Sequence, residues 1–215
     1  MEMIRDRSMA GSLIEWDIAQ LTLEGQEKSG DRYFVKPFAN SVLVAVLDGL
    51  GHGDEAAAAA QVAVDTLETN SPNTIISLFR RSHEALRKTR GVVMSMALLN
   101  GLDGTLTWAG VGNVEGVLVR ANLAIKRHTE SLLLRAGVVG GQLSEPHASI
   151  IPIMSGDTLV FATDGIRSGF DEKVALRHPP KEIATSILSE HAKGSDDALV
   201  LVARYLGHSH ESSLT

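Results

Sequence analysis

Residues 42–54 read VLVAVLDGLGHGD, six aliphatic residues that stop abruptly at a carboxylate and a glycine-rich turn. An unbroken aliphatic run of this length is typical of a strand that is buried on both faces. A carboxylate at the end of such a strand is partly desolvated, so it needs a metal ion or a row of backbone N–H groups to keep it ionised. The stretch therefore predicts a functional role for Asp48.

Two helices are expected after this strand. Five alanines and an acidic first turn predict a helix over residues 54–67, because acidic side chains there oppose the helix dipole favourably. A second helix is predicted to open with Ser71 as its N-cap and to run to about Arg90. The unit around Asp48 is therefore a strand, a glycine turn and a helix.

Most of the remaining chain reads as short strands joined by turns. The turns at residues 100–104 and 112–113 predict hairpins and hence an antiparallel sheet. A late helix is expected at residues 181–191, after two prolines. Strands, two helices, more strands and one late helix together predict an α+β domain. The predicted strands are 13–24, 33–38, 42–47, 92–99, 105–111, 114–120, 123–126, 149–153, 157–162 and 198–205.

The composition excludes several classes of function. The 215 residues carry a formal net charge of -6, with 26 acidic and 20 basic residues, so the basic excess of a nucleic-acid binder is missing. There is no cysteine, which excludes disulfides, thiolate zinc sites and a cysteine nucleophile. No apolar run approaches the ~18 residues of a membrane span, and no signal peptide is visible. We expect a cytoplasmic protein without nucleic-acid or membrane partners.

Asp-Gly occurs three times, and two of the three pairs follow apolar strands. Asp103 lies in an Asn-Gly-Leu-Asp-Gly sequence between two strands, which is ordinary hairpin chemistry. Asp48 and Asp164 instead follow the runs VLVAVL and DTLVFAT. A hairpin turn does not need a buried strand leading into it. Asp48 and Asp164 are therefore candidate site residues, and Asp103 is their internal control.

Further carboxylates lie at strand ends. Asp196 and Asp197 precede the last apolar strand, where two adjacent like charges repel unless a cation separates them. Asp31 is expected at the edge of an early strand. Such oxygen ligands, without cysteine, suit Mg²⁺ or Mn²⁺. Two such ions roughly 3.5–4 Å apart can activate a bridging water and neutralise a phosphate, which is the chemistry of phosphate-ester hydrolysis.

The same residues resemble the four metal motifs of the protein phosphatase 2C-like serine/threonine phosphatases, in their bacterial sporulation and stress-response (SpoIIE-type) branch. The resemblance covers roughly residues 14–205, with the motifs in the family's order. It implies an α+β fold, a four-layer α-β-β-α sandwich with two central antiparallel sheets flanked by helices. The motifs are SGD at 29–31, DGLGHG at 48–53, TDG at 163–165 and SDD at 195–197, and AGVGN at 109–113 resembles the branch's central hairpin.

The resemblance also implies a ligand set. Asp48 would bridge two Mn²⁺ or Mg²⁺ ions, and the Gly49 carbonyl would ligate one of them. Asp164 and Asp196 would hold the other ion, and Asp31 would contribute directly or through water. Asp48, Asp164 and Asp196 would thus be catalytic through metal-bound water, with a metal-bridging hydroxide as the nucleophile.

Two positions depart from the family pattern. Leu199 stands where the last motif commonly has threonine, which removes a hydroxyl near the ligands. No arginine near Asp31 matches the phosphate-binding arginine of the eukaryotic members, because Arg32 is not in the motif position. We therefore expect the substrate phosphate to be held mainly by the metals.

The size of the predicted domain narrows the choice of a protein partner. With no long polar break, we expect an extension at residues 1–12, one phosphatase domain at 13–206 and a flexible tail at 207–215, with no room for a sensor domain. Such a bare catalytic domain resembles the RsbX-type stressosome phosphatases. Their family role is to remove phosphate from serine or threonine on STAS-domain proteins, so the resemblance implies a phosphorylated STAS-domain protein as partner.

Two other functions stay open. A pseudophosphatase would keep the fold and bind a phosphoprotein without turnover. A nucleotide-binding protein could use residues 49–53 as a phosphate loop at a helix N-terminus, but the P-loop lysine is missing and a dinucleotide fingerprint would need parallel strands. His52 could be a ligand or an acid, and a hydrogen bond that shapes the turn is the favoured interpretation. His83 is expected to be a partly buried helix residue.

Overall fold

The computed structural model describes residues 13–122 and 128–207. The predicted extension at 1–12 and the predicted strand at 123–126 lie outside the described residues, as does nearly all of the predicted tail. The division of the chain into extension, domain and tail therefore stays a prediction. None of the helices within the described ranges has the length and apolar character needed to cross a membrane.

Two sheets pack face to face, and helices cover their outer faces. The strands of the described residues are β1 (Ile14–Leu21), β2 (Asp31–Pro37), β3 (Ser41–Gly49), β4 (Val92–Asn100), β5 (Thr105–Val111), β6 (Glu115–Val119), β7 (Thr129–Ser131), β8 (Leu134–Arg135), β9 (Ser149–Pro152), β10 (Thr158–Ala162) and β11 (Ala198–Tyr205). The helices there are α1 (Asp54–Asn70), α2 (Ile75–Leu86) and α3 (Pro180–His191), with a 3₁₀ turn at Phe170–Lys173.

The strand order confirms the predicted sandwich. The first sheet runs β1-β11-β10-β6-β7, and the second runs β2-β3-β4-β5-β8 with β9 also paired to β5. The described pairings are antiparallel except for the short parallel pairing of β5 with β8, so the second sheet is mixed. α1 and α2 cover the second sheet, and α3 covers the first.

β3 is buried on both faces, as its sequence predicts. Val42, Val44 and Val46 face the core between the two sheets. The alternating residues Leu43 and Leu47 face the layer beneath α1 and α2. Because successive side chains of a strand point to opposite faces, one aliphatic run supplies both layers.

The second helix is shorter than predicted at both ends. It begins after Thr74, whose Oγ1 accepts a hydrogen bond from the Ser77 N–H at 3.3 Å. The predicted N-cap at Ser71 is wrong, because the Ser71 N–H donates to the Leu67 carbonyl and closes α1. The helix also ends at Leu86, before the predicted limit. A hydroxyl three residues further along is thus the one that caps α2.

The predicted hairpin at residues 112–113 is wrong, because the chain crosses there from the second sheet to the first. Gly112 has a φ of 96°, and a Cβ at this position would lie 2.2 Å from Val93 Cγ1. The Ser95 hydroxyl donates to the Val114 carbonyl at 2.7 Å and fixes the crossing. Asn113 therefore lies at the end of the sandwich, between the two sheets.

Asp197, just before β11, holds the connection between β1 and β2. Its Oδ1 accepts from the Leu23 N–H at 2.8 Å, and its Oδ2 accepts from the Gly30 N–H at 2.6 Å. The residue is 4% exposed. Two backbone donors, not a cation, therefore satisfy this member of the Asp196–Asp197 pair.

Replacing Asp197 with Asn should destabilise the fold. An amide can accept only through one oxygen, so one buried N–H would face another N–H, at a cost of about 1–3 kcal/mol. Urea unfolding measures this loss. The control is Asp65→Asn, which should change stability by less than about 0.5 kcal/mol, because this exposed carboxylate accepts from Gln61 and from no other side chain in the part of the chain that the structure describes. Equal effects of the two substitutions would contradict the assignment.

Candidate metal centre

The predicted carboxylates gather at one end of the sandwich. The β2–β3 register places Asp31 opposite Asp48, while Asp164 follows β10 and Asp196 precedes the neighbouring β11. Asp48, Asp164 and Asp196 line one cleft of about 380 Å³. Asp31 is 1% exposed and lies behind this cleft. A larger open groove of about 700 Å³ between α1 and α2 contains none of these carboxylates.

The glycines of the two site Asp-Gly pairs allow close backbone packing. A Cβ on Gly49 would lie 2.1 Å from the carbonyl oxygen of Ala56, in the first turn of α1. A Cβ on Gly165 would lie 1.9 Å from the carbonyl oxygen of Asp197. Both positions therefore require glycine for packing, which the sequence alone did not indicate. The ligand role of the Gly49 carbonyl stays a prediction.

The surroundings of Asp48 disfavour its ionised form. Burial raises the pKa of Asp48 to about 8, with further contributions from Asp31, Asp164 and the carboxylates at 196–197. No hydrogen bond reaches the Asp48 carboxylate from the described residues, although the side chain opens into the cleft. A carboxylate that is desolvated, repelled and without a donor is stabilised by a cation.

Asp31 and Asp164 are better supported by neighbouring side chains. Burial raises the pKa of Asp31 to about 7, against the opposing effect of a hydrogen bond from the Thr163 hydroxyl at 2.8 Å. Burial and Asp196 raise the pKa of Asp164, which Lys193 and a hydrogen bond from Asn113 partly offset. These two carboxylates are therefore held in place before any ion binds.

The donor set fits a hard divalent cation. Asp48, Asp164 and Asp196 offer carboxylate oxygens to one cleft, and Asp31 lies immediately behind it. Oxygen ligands of this kind suit Mg²⁺ and Mn²⁺. Within residues 13–122 and 128–207, no three His, Asp or Glu side chains already form a compact metal-binding group.

Asp103, the internal control, lies in a hairpin turn as the sequence predicts. The β3–β4 register places Asp48 opposite Val93, whereas Ser41 at the other end of β3 lies opposite Asn100. Asp103 follows Asn100 in the β4–β5 hairpin and accepts from its Nδ2 at 2.9 Å. The predicted hairpin at residues 100–104 is confirmed, and its carboxylate lies at the opposite end of the sheet from the cleft.

The structure also shows the contacts of three other residues that the sequence analysis discusses. His52 is exposed and lines the cleft, and its ring makes no hydrogen bond to the described residues, so the expected turn-shaping bond is not found. Arg32 Nη1 donates to the carbonyls of Ser29 and Asp31 at 2.7 and 2.8 Å, which leaves this guanidinium bound to the turn. His83 is half-buried on α2, as expected, and its Nδ1 accepts from the N–H of Gly140 at 3.0 Å.

Two residues that support the carboxylates were not identified as such from the sequence. Asn113 Nδ2 donates to Asp164 Oδ2 at 2.8 Å across the space between the sheets. The Thr163 hydroxyl donates to Asp31 and also accepts from the Leu199 N–H at 2.9 Å. The sequence predicts that Asn113 is a turn residue. The sequence signals for Asn113 are its place in the AGVGN motif at 109–113 and its position between two apolar strands, next to a glycine.

Comparison with known proteins identifies a family model and several relatives. The model described as Stage II sporulation protein E (SpoIIE) matches residues 39–206. The phosphoserine phosphatase RsbX of Bacillus subtilis (strain 168) is 31% identical over 101 residues, which are 47% of this chain and 51% of that protein. The chain thus matches about half the length of this curated relative.

Two solved structures share the fold. One, from a study of the bacterial stressosome as a modular system that controls secondary messenger signalling, has a TM-score of 0.80 and 28% identity, and the match covers 89% of this chain and 99% of that one. The other, RsbX in complex with magnesium, has a TM-score of 0.79 and 22% identity over 89% of this chain and 95% of that one. The latter likeness concerns the fold alone.

Replacing Asn113 with Ala should weaken metal binding. Loss of a partner that orients a metal ligand typically costs about 10–100-fold in affinity. Isothermal titration with Mn²⁺ measures the effect. The matched control is Asn73→Ala, an exposed asparagine that bonds to the Asn70 carbonyl in the α1–α2 connection. If the two variants bind Mn²⁺ equally well, Asn113 does not orient Asp164 for a metal.

In the metal-free protein, the contribution of Asp48 to the free energy of unfolding should fall as the pH rises. The folded pKa of Asp48 is about 8, well above the unfolded value of about 3.9, so the folded state binds the extra proton between these values. Stability from this group is full below pH ~4 and is lost as the pH rises through about 8. Relative to Asp48→Asn, the wild type in EDTA should melt at a lower temperature, by a margin that widens from pH 5.5 to pH 8.5. A difference that does not grow with pH would contradict the raised pKa.

Proposed function

The chain belongs to the Stage II sporulation protein E (SpoIIE) family, and we propose that it is a metal-dependent phosphatase that hydrolyses phosphoserine or phosphothreonine in proteins. The observation that carries the proposal is the cleft shared by Asp48, Asp164 and Asp196, in which the desolvated Asp48 has no hydrogen-bond donor among the described residues. Such a set of oxygens is suited to divalent ions and to an anionic substrate that approaches them.

Each predicted ligand has a place in this function. Asp48, Asp164 and Asp196 would hold two Mn²⁺ or Mg²⁺ ions at the cleft, with Asp31 and the Gly49 carbonyl completing the set. When bound, such ions lower the pKa of a water between them and neutralise the charge of the phosphate. Hydrolysis then needs no cysteine, serine or histidine nucleophile from the protein.

The chain's own contribution is to orient the carboxylates and to keep them ionised. Asn113 holds one oxygen of Asp164, and Thr163 holds one oxygen of Asp31. Both donors stabilise the charged form of the carboxyl that they contact. The cleft lies at an open end of the sandwich, which lets a phosphorylated side chain of a folded partner enter.

We further propose that the substrate is a phosphorylated STAS-domain protein of the stressosome type. The family motifs, the 31% identity to part of RsbX and the likeness to a structure from a stressosome study support this assignment. A nucleotide-binding function loses support, because β3 pairs antiparallel with both of its neighbours and no parallel βαβ unit surrounds the glycine turn. A phosphoprotein-binding pseudophosphatase is the remaining alternative.

Replacing Asp48 with Asn should abolish Mn²⁺-dependent phosphate release. The loss should exceed the roughly 10–100-fold that removal of an outer-shell partner costs, because a ligand itself is removed. The fold should persist, since the substitution relieves repulsion among carboxylates. Phosphate release from p-nitrophenyl phosphate and from phosphorylated STAS-domain proteins, with Mn²⁺ and with EDTA, measures the change.

Asp103→Asn is the matched control and should leave activity unchanged, because Asp103 lies at the far end of the sheet. Wild-type activity that survives EDTA would contradict the metal-dependent mechanism. A wild type that binds the phosphorylated STAS-domain protein without releasing phosphate would identify the pseudophosphatase instead.

A further inference from the structure

Arg90 reaches the edge of the cleft from the turn that follows α2. A Cβ on Gly51 would lie 2.7 Å from Arg90 Nη1, and Gly51 itself lines the cleft. The guanidinium therefore lies directly against the bare backbone of the glycine turn. This places a positive charge beside a cleft that is lined by three carboxylates.

Two contacts hold Arg90 in this position. Its Nε donates to the carboxylate of Glu55, in the first turn of α1. The next residue, Gly91, accepts a hydrogen bond at its carbonyl from the N–H of Leu50 at 3.1 Å, and Leu50 lines the cleft. A Cβ on Gly91 would also lie 2.7 Å from Val138, which is a further residue of the cleft wall. The backbone around Arg90 is thus packed between two segments that form the cleft.

The donors of Arg90 are only partly used. Its Nη1 and Nη2 make no hydrogen bond to any described residue, and the side chain is 54% exposed. An exposed ion pair such as Arg90–Glu55 contributes only about 0–1 kcal/mol, so stability alone explains little of this arrangement. A guanidinium that is anchored through Nε still presents its two Nη groups, which bind carboxylate and phosphate oxygens well.

Two lysines at the same end of the sandwich are less suited than Arg90 to binding substrate. Lys28 pairs with Asp54 at 3.0 Å. Lys193 interacts with Asp164 and lowers the pKa of that carboxyl, so its charge acts on a proposed metal ligand. Arg90 combines proximity to the cleft wall with unused donors.

We propose that Arg90 binds an anionic oxygen of the phosphoprotein substrate at the glycine-turn edge of the cleft. This inference rests on the proposed phosphatase function, and it adds a residue that the metal motifs do not include. The oxygen belongs either to the phosphoryl group or to an acidic side chain beside the phosphoserine. Both are recognised by the same charge-assisted hydrogen bonds.

The test compares Arg90→Gln with Arg87→Gln. Arg87 lies three residues earlier, is similarly exposed and pairs with Glu84, so each variant loses one surface ion pair. With Mn²⁺ present, Arg90→Gln should raise the KM for a phosphoserine peptide by about tenfold with little change in kcat, because one charged hydrogen bond is lost. Arg87→Gln should leave the KM unchanged.

Three substrates identify the source of the oxygen: p-nitrophenyl phosphate, a phosphoserine peptide with neighbouring acidic residues and a phosphoserine peptide without them. If the KM for p-nitrophenyl phosphate rises as well, Arg90 contacts the phosphoryl group. If the KM rises only for phosphoserine peptides with neighbouring acidic residues, it contacts a flanking carboxylate. A KM that is unchanged by Arg90→Gln for all three substrates overturns the proposal.

A binding measurement separates this proposal from the proposed function. The Kd of fluorescent phosphoserine peptides, measured by anisotropy with the Mn²⁺-loaded protein, should rise by the same factor in Arg90→Gln. If the wild type releases no phosphate, the phosphatase function fails, but the Kd comparison still decides the role of Arg90. If Arg90→Gln is unstable to heat, Arg90→Lys, which keeps the charge and loses the planar fork, should raise the Kd by a smaller factor. An unchanged Kd in the folded variants again overturns the proposal.

Discussion

Several negatively charged carboxylates lie close together at one end of this sandwich, and they repel one another. The second sheet brings Asp31 and Asp48 there, and the first sheet brings Asp164 and Asp196. The raised pKa of Asp48, to about 8, records how poorly the protein alone accommodates this charge. An arrangement of this kind costs stability in the free protein and is offset by the three apolar layers of the sandwich. It is advantageous where a cation or an anionic substrate bound through cations has to be attracted.

The same end of the molecule is also where the sheets are joined most specifically. Thr163 on the first sheet donates to the buried Asp31 on the second, and Asp197 accepts from the backbone at Leu23 and Gly30. These bonds fix the separation of the two sheets near the cleft. The carboxylates that face the cleft repel one another, but they stay close together because other residues hold the backbone that carries them.

Much of the site could be predicted from the sequence, because its signals are local. An aliphatic run that ends in Asp-Gly is visible without knowledge of the partner strands, which is why Asp48 and Asp164 were separated from the hairpin residue Asp103. The remaining features depend on residues distant in sequence. Asn113 contacts Asp164 only because the chain crosses between the sheets, and a Gly-Asn turn looks the same in a hairpin as in a crossing.

The most direct test of the central claim is a crystal structure with bound Mn²⁺, in which anomalous scattering locates each ion. We predict two Mn²⁺ peaks in the cleft, with Asp48 in contact with both and with Asp164 and Asp196 holding one of them. Mn²⁺ bound elsewhere, or a cleft in which Asp48 contacts no ion, would contradict the account of this end of the sandwich as a two-metal centre.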